Sequence, residues 1–171
     1  MRSRPERGSC ARGAPLTVID HHLTDRSSLQ PGNAAAAIIV LDDSRYLLQL
    51  RDNKAGIFFP GHWGLFGGGV EEGEQPIDAL RRELKEELGL TVAELRPLTR
   101  FEFDLAPMGL TRVYREFFEV RLPAAAVPSL RLSEGKAFEA FSREQVLALS
   151  RLAPYDAFAL WFHANDFRLH E

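Results

Sequence analysis

From Ala34 to Leu41 the chain runs through eight apolar residues, turns polar at Asp42-Asp43-Ser44, and becomes mainly apolar again from Tyr46 to Leu50. A short apolar run, a polar turn and a second run predict a buried strand with its hairpin partner. Asp52 to Gly61, with Gly56, Pro60 and Gly61, predicts a loop, and Trp63 to Phe66 a short extended segment entering Gly67-Gly68-Gly69. Downstream the period changes: Ile77, Leu80, Leu84 and Leu88 recur at offsets of three and four. That spacing predicts one apolar stripe on a helix, opened by Pro76 in its first turn and closed by Gly89 as its cap.

The second half predicts two longer strands, Leu98–Leu105 and Thr111–Leu122, around a turn at Pro107-Met108-Gly109, and a further strand at Ala137–Phe141. Ser142 and Gln145 have the spacing of a capping box and open a helix through Leu149. Pro154 to Ala164 predicts a last helix with an aromatic face of Phe158, Trp161 and Phe162, which can be buried in the core or in a homodimer. Strands interleaved with helices in this order imply an α/β fold, a mixed sheet between helices. Residues 1–30 show no hydrophobic period and read as a poorly ordered leader, with Val18 and Ile19 beginning to pack. Residues 31–171 are left as the folded domain.

Composition narrows the function. A chain of 171 residues suits one domain. The longest apolar run, eight residues, is far short of the ~20 that a membrane helix needs, so no membrane partner is expected. The leader lacks the apolar stretch of a secretory signal. A single cysteine, Cys10, rules out an internal disulfide framework and makes the cytoplasm the expected compartment. Twenty-one basic against 24 acidic side chains leave a net charge of −3, with no basic excess for nucleic acid. The acids are concentrated: residues 68–90 hold seven against three bases.

On the predicted helix Glu83, Glu86 and Glu87 share a face beside the apolar stripe, with Glu83 and Glu87 one turn apart. Like charges at these spacings destabilise a helix by ~0.2–0.5 kcal/mol each, and at its C-terminal end the helix dipole adds to the penalty. A hard divalent cation among the oxygens removes both costs, and Mg²⁺ is commonly held by a few carboxylates together with substrate phosphate. A solvated Glu-rich surface is the plainer alternative for such a cluster taken alone.

The order of residues decides between them. Gly68, five residues, Glu74, seven residues, then Arg82-Glu83-Leu84-Lys85-Glu86-Glu87-Leu88-Gly89-Leu90 matches the Nudix box at all nine specified positions. The chain resembles a Nudix hydrolase. The resemblance implies an α/β/α sandwich and Mg²⁺-dependent hydrolysis, with Mn²⁺ as an alternative ion, of a nucleoside diphosphate linked to another group. It implies Glu83, Glu86 and Glu87 as metal-binding and catalytic carboxylates, with the Gly67 carbonyl completing the metal shell. It also implies a Glu74–Arg82 salt bridge tying the loop at Gly68 to the helix. Members often add a carboxylate from a later loop, and Leu132-Ser133-Glu134-Gly135-Lys136 resembles that stretch, so Glu134 is its candidate ahead of Glu102 and Glu116. One departure is Phe66, where proline often precedes the two glycines.

Specificity lies outside the box. Phe58, Phe59, Trp63 and Phe66 are candidates to stack a base and Arg51 and His62 to meet phosphate, although taken singly core packing for the aromatics and a solvated surface for the others come first; Glu102 with Asp104 can read a polar group or simply face water. Pro107 and Tyr114 match the marks of the ADP-ribose and dinucleoside-polyphosphate types only weakly, and the stretch Phe58-Phe59-Pro60-Gly61-His62-Trp63 before the box is compatible with nucleoside triphosphates or nucleotide sugars as the small-molecule class. A nucleotide-sensing module that has lost catalysis is the alternative. An isopentenyl-diphosphate-type isomerase is disfavoured because the sole cysteine lies in the leader. His21, His22, His163 and His170 read as incidental, structural or solvated.

Overall fold

The computed structural model describes residues 30–165. The expectations for the leader, for Cys10, Val18, Ile19, His21 and His22, and for His170 lie outside the described residues. Seven strands form one sheet: β1 (Ala34–Leu41), β2 (Tyr46–Leu50), β3 (Trp63–Gly64), β4 (Phe66–Gly69), β5 (Arg96–Phe103), β6 (Val113–Leu122) and β7 (Ala137–Phe141). The helices are α1 (Pro76–Leu88), α2 (Arg143–Ala148) and α3 (Pro154–Asn165). The strand order is β3-β2-β1-β6-β5, with β4 joined to β1 and β7 to β2. Only β1 and β6 run parallel, their register placing Ala34 beside Arg115 and Leu41 beside Leu122. The sheet is therefore mixed, as the sequence predicts.

β1 explains the layers. Its residues alternate between two cores: Ala35, Ala37, Ile39 and Leu41 face α1, while Ala36, Ile38 and Val40 face α2 and α3. A strand covered on both faces reads as an unbroken apolar run, which is why Ala34–Leu41 shows no polar alternation. On α1 the predicted stripe is largely realised: Leu80, Leu84 and Leu88 are at most 1% exposed. Each such burial contributes roughly 1.5–3 kcal/mol. Gly89 takes the left-handed conformation at φ 64° and its N–H closes the helix onto Leu84 and Lys85.

Some boundaries move. β5 starts at Arg96, two residues before the expected Leu98, and includes Pro97 next to a register shift. Proline is tolerated because β5 lies at the edge of the sheet. It ends at Phe103 because the Asp104 carboxylate accepts the Ala106 N–H and starts a short 3₁₀ turn. β6 starts at Val113 rather than Thr111. The capping box at Ser142 and Gln145 is present. The aromatic face of α3 is not in the core: Phe158, Trp161 and Phe162 point outward, and Ala159, Leu160 and Ala164 make the packing. His163 is structural, hydrogen-bonded to Tyr46 at 3.0 Å and to Glu119 at 2.7 Å.

Candidate active site

Two glycines bring α1 onto the sheet. Gly67 stands at φ +126°, where a side chain would collide with the Ala35 carbonyl. Its N–H donates to Glu87 Oε2 at 2.9 Å. At Gly68 a Cβ would occupy the space taken by the Glu83 carboxylate. The glycine run thus leaves room for two carboxylates of α1 to lie against β4.

Arg82 ties the same loop to the helix. Its Nε and Nη2 both reach Glu74 at 3.1 Å, and Nη2 also donates to the Gly69 carbonyl at 3.0 Å. Nη1 donates to Glu83 Oε1 at 2.8 Å and to Glu86 Oε2 at 3.4 Å. These contacts hold the Glu74 carboxyl below its ordinary range, the Arg82 hydrogen bonds being the largest cause.

Glu87 differs from its neighbours in being 6% exposed. Burial pushes its carboxyl up to about 7, against the hydrogen bonds from Gly67 and Gln49, and the charges of Glu83 and Glu134 raise it further. Glu134 is brought here by main-chain bonds: Arg131 N–H donates to the Leu88 carbonyl at 3.1 Å and Ser133 N–H to the Glu87 carbonyl at 2.8 Å. The segment is strapped across the end of α1.

Glu87, Glu134 and Asp52 share a solvent-open cleft with Arg51 and Lys54, over Ile57, Gln49 and Gly135, and Lys54 is paired with Asp52 at 3.1 Å. Carboxylates and cations therefore face one space, an arrangement suited to a charged ligand. The donors are all hard oxygens, the chemistry that suits Mg²⁺ or Mn²⁺. A cation would offset the cost of burying the Glu87 charge, which is the main cause of its raised carboxyl, and the smaller repulsion from Glu83 and Glu134. Among the described residues no three acidic or histidine side chains converge as a ready metal shell. Arg82 supplies the counter-charge to Glu83 and Glu86 instead.

The other predicted residues divide. Arg51 lines the cleft, its Nε donating to the Phe58 carbonyl at 2.9 Å. Phe66 is not a ligand-facing side chain: it is fully buried beneath α1 with Leu80, Leu84 and Leu88. Trp63 packs on the other face of the sheet, edge-on to Phe141 at 4.8 Å. Glu102 sits on the far edge strand, ion-paired with Arg100 at 3.5 Å, and Glu116 pairs with the same arginine at 3.7 Å. Phe59 packs against Tyr155, and His62 bonds the Pro60 carbonyl, so neither is brought to the cleft. Strand alternation and strand order decide these positions, and a linear run of aromatics carries neither.

Lys54, Ile57 and Gln49 are cleft residues that the sequence reading missed. The signal for Gln49 was one amide inside the apolar run Tyr46–Leu50. Also missed was a buried pair behind the site. Asp156 of α3 is fully buried, bonded to Arg115 at 3.0 Å and accepting the Leu65 N–H at 3.0 Å. Burial pushes its carboxyl up and Arg115 opposes the shift.

The sequence model of the NUDIX domain matches residues 31–162. The nucleoside triphosphatases NudI of Escherichia coli strain SE11 and of Shigella flexneri are each 48% identical to this chain over 63 residues, 36% of this chain and 44% of the relative. The chain therefore spans less than half the length of these curated relatives. Among solved structures, the MutT protein from Methanosarcina mazei Go1 superposes with a TM-score of 0.65 at 23% identity, over 83% of this chain and 98% of that one. The E. coli ORF135 protein gives 0.64 at 24% identity, over 84% and 95%. At those identities the superpositions establish the fold.

Proposed function

Since the chain belongs to the Nudix family, we propose that it is a divalent-metal-dependent pyrophosphohydrolase of small nucleotides. The observation that carries this reading is the buried Glu87 beside Glu134 in a cleft that also presents Arg51 and Lys54. Glu83, Glu86 and Glu87 of α1, with the Gly67 carbonyl and Glu134, are the groups that would hold Mg²⁺ or Mn²⁺. When bound, the ion supplies neutralisation of the diphosphate charge and acidification of water.

The chain's own groups then have distinct tasks. Arg51, and Lys54 in exchange for its pairing with Asp52, hold phosphoryl oxygens in the cleft. Glu87, buried in the cleft beside Gly67 and Gln49, accepts the proton of the attacking water. Attack at phosphorus breaks one P–O anhydride bond, the water oxygen ends on phosphorus, and the leaving phosphate or nucleotide departs with its oxygen. Arg82 and Glu74 keep the glycine loop and helix in register, while Gly68 leaves the space that Glu83 fills.

The favoured substrate class is the nucleoside triphosphates, ahead of nucleotide sugars. What supports this order is that the curated relatives are named nucleoside triphosphatases. Catalysis on a free small molecule in the cytosol requires no nucleic acid and no membrane. Among the described residues no helix is long and apolar enough to cross a membrane.

The test is release of phosphate or pyrophosphate from a panel of nucleoside triphosphates, nucleotide sugars, ADP-ribose and dinucleoside polyphosphates, with Mg²⁺ and with EDTA. Metal-dependent turnover concentrated on the triphosphates is expected. Folded protein that binds a nucleotide and hydrolyses none of the panel would overturn the reading.

A further inference from the structure

Gln49 is the fourth of the five residues of β2, next to Leu48 and Leu50, and is 3% exposed. An apolar side chain would fill this position without the cost of burying an amide. The amide is used. Nε2 donates to the Leu65 carbonyl at 3.0 Å and lies 3.4 Å from Glu87 Oε1. Glu87 Oε2 receives the Gly67 N–H at 2.9 Å. The two oxygens of one carboxylate are therefore held from two strands, one contact from a side chain of β2 and the other from the backbone of β4.

The opposite end of the amide has room reserved for it. Gly135 stands at φ +87°, and a Cβ there would come within 3.1 Å of Gln49 Oε1 and 3.0 Å of the Leu50 carbonyl. Gln49 and Gly135 both line the cleft. We propose that Gln49 is a positioning residue: it fixes the carboxylate plane of Glu87 and thereby the direction in which that group meets the ion and the water. The inference rests on the hydrolase reading above. A merely structural role is the competing account, in which Gln49 only satisfies the Leu65 carbonyl.

Gln49→Met keeps the volume and removes both donors, and Gln49→Asn keeps the amide but withdraws it by one methylene. Steady-state kinetics on the substrate found for the native chain and Mn²⁺ binding to the nucleotide-free protein, read by electron paramagnetic resonance, separate the accounts. Positioning predicts a ten- to hundredfold fall in kcat with KM within about threefold, and Mn²⁺ affinity weakened about tenfold. Gln49→Asn should move both in the same direction if Gln49→Met does not fold. Either folded variant with native kcat and native Mn²⁺ affinity overturns the proposal while leaving the hydrolase intact. A native chain that neither binds Mn²⁺ nor hydrolyses the panel overturns the hydrolase reading and this one with it.

Discussion

Replacing Glu87 by glutamine should remove activity and, in metal-free solution, stabilise the protein. The magnitude follows from the position of the carboxyl. An ordinary glutamate titrates at 4.5, and burial pushes this one to about 7. Below pH 4.5 both folded and unfolded chains carry the proton, and the group costs nothing. Between pH 4.5 and 7 the unfolded chain releases the proton while the folded chain keeps it, so stability falls as pH rises. Above pH 7 the loss is complete, about 3 kcal/mol at roughly 1.4 kcal/mol for each pH interval of one. Glutamine carries no charge and retains an oxygen for the Gly67 N–H, so it escapes this penalty. Urea unfolding in EDTA at pH 4.5, 6 and 8 should show no gap between the proteins at the lowest pH. At pH 8 the glutamine variant should lead by about 2–3 kcal/mol, roughly 5–10 °C in Tm. Adding Mg²⁺ at pH 8 should raise the native protein and leave the variant unchanged. A variant no more stable than native at pH 8, or a gap that does not vary with pH, would refute the assignment of a strained, buried charge.

The neighbouring glycines should separate folding from function. Gly67→Ala forces a side chain against the Ala35 carbonyl at φ +126° and should cost about 2–3 kcal/mol by urea unfolding. Gly68→Ala meets only the end of the Glu83 side chain, so stability should change by less than about 1 kcal/mol while kcat falls tenfold or more; equal stability losses would contradict the geometry. Arg115→Ala leaves the buried Asp156 carboxylate without its partner and should cost about 3–5 kcal/mol. Pairing it with Asp156→Asn should recover much of that loss, as a double-mutant cycle would show.

What was legible in the sequence was local. The α1 stripe, its Pro76 and Gly89 ends, and the Ser142–Gln145 box each depend on residues within one or two turns, and each forms where expected. The spacing from Gly68 to Glu87 was legible for the same reason: a tight loop leads directly into a helix, so distance along the chain becomes distance in space. Cross-strand relations were not legible. Trp63 and Phe66, an odd number of residues apart in extended chain, face opposite sides of the sheet, but which of the two sides α1 covers follows only from the folded sheet, in which β3 joins β2 and β4 joins β1. Glu134 stood ahead of Glu102 on motif position, and the fold supplies the physical reason: strand order sends β5 to the far edge, while Ser133 and Arg131 bond to the end of α1 and carry Glu134 to the cleft. Asp156 lies 91 positions from Leu65, whose N–H it accepts, and 41 from Arg115. Such a pair is invisible until topology joins α3, β6 and the β3–β4 junction. The consequence is a division within the site itself. The three helix carboxylates proposed to hold the metal are written into one contiguous segment, whereas Glu134 and the groups proposed to orient them, Gln49 among them, come from parts of the chain that meet only in the fold. A substitution in the box can therefore be judged from the sequence, and one behind it requires the fold.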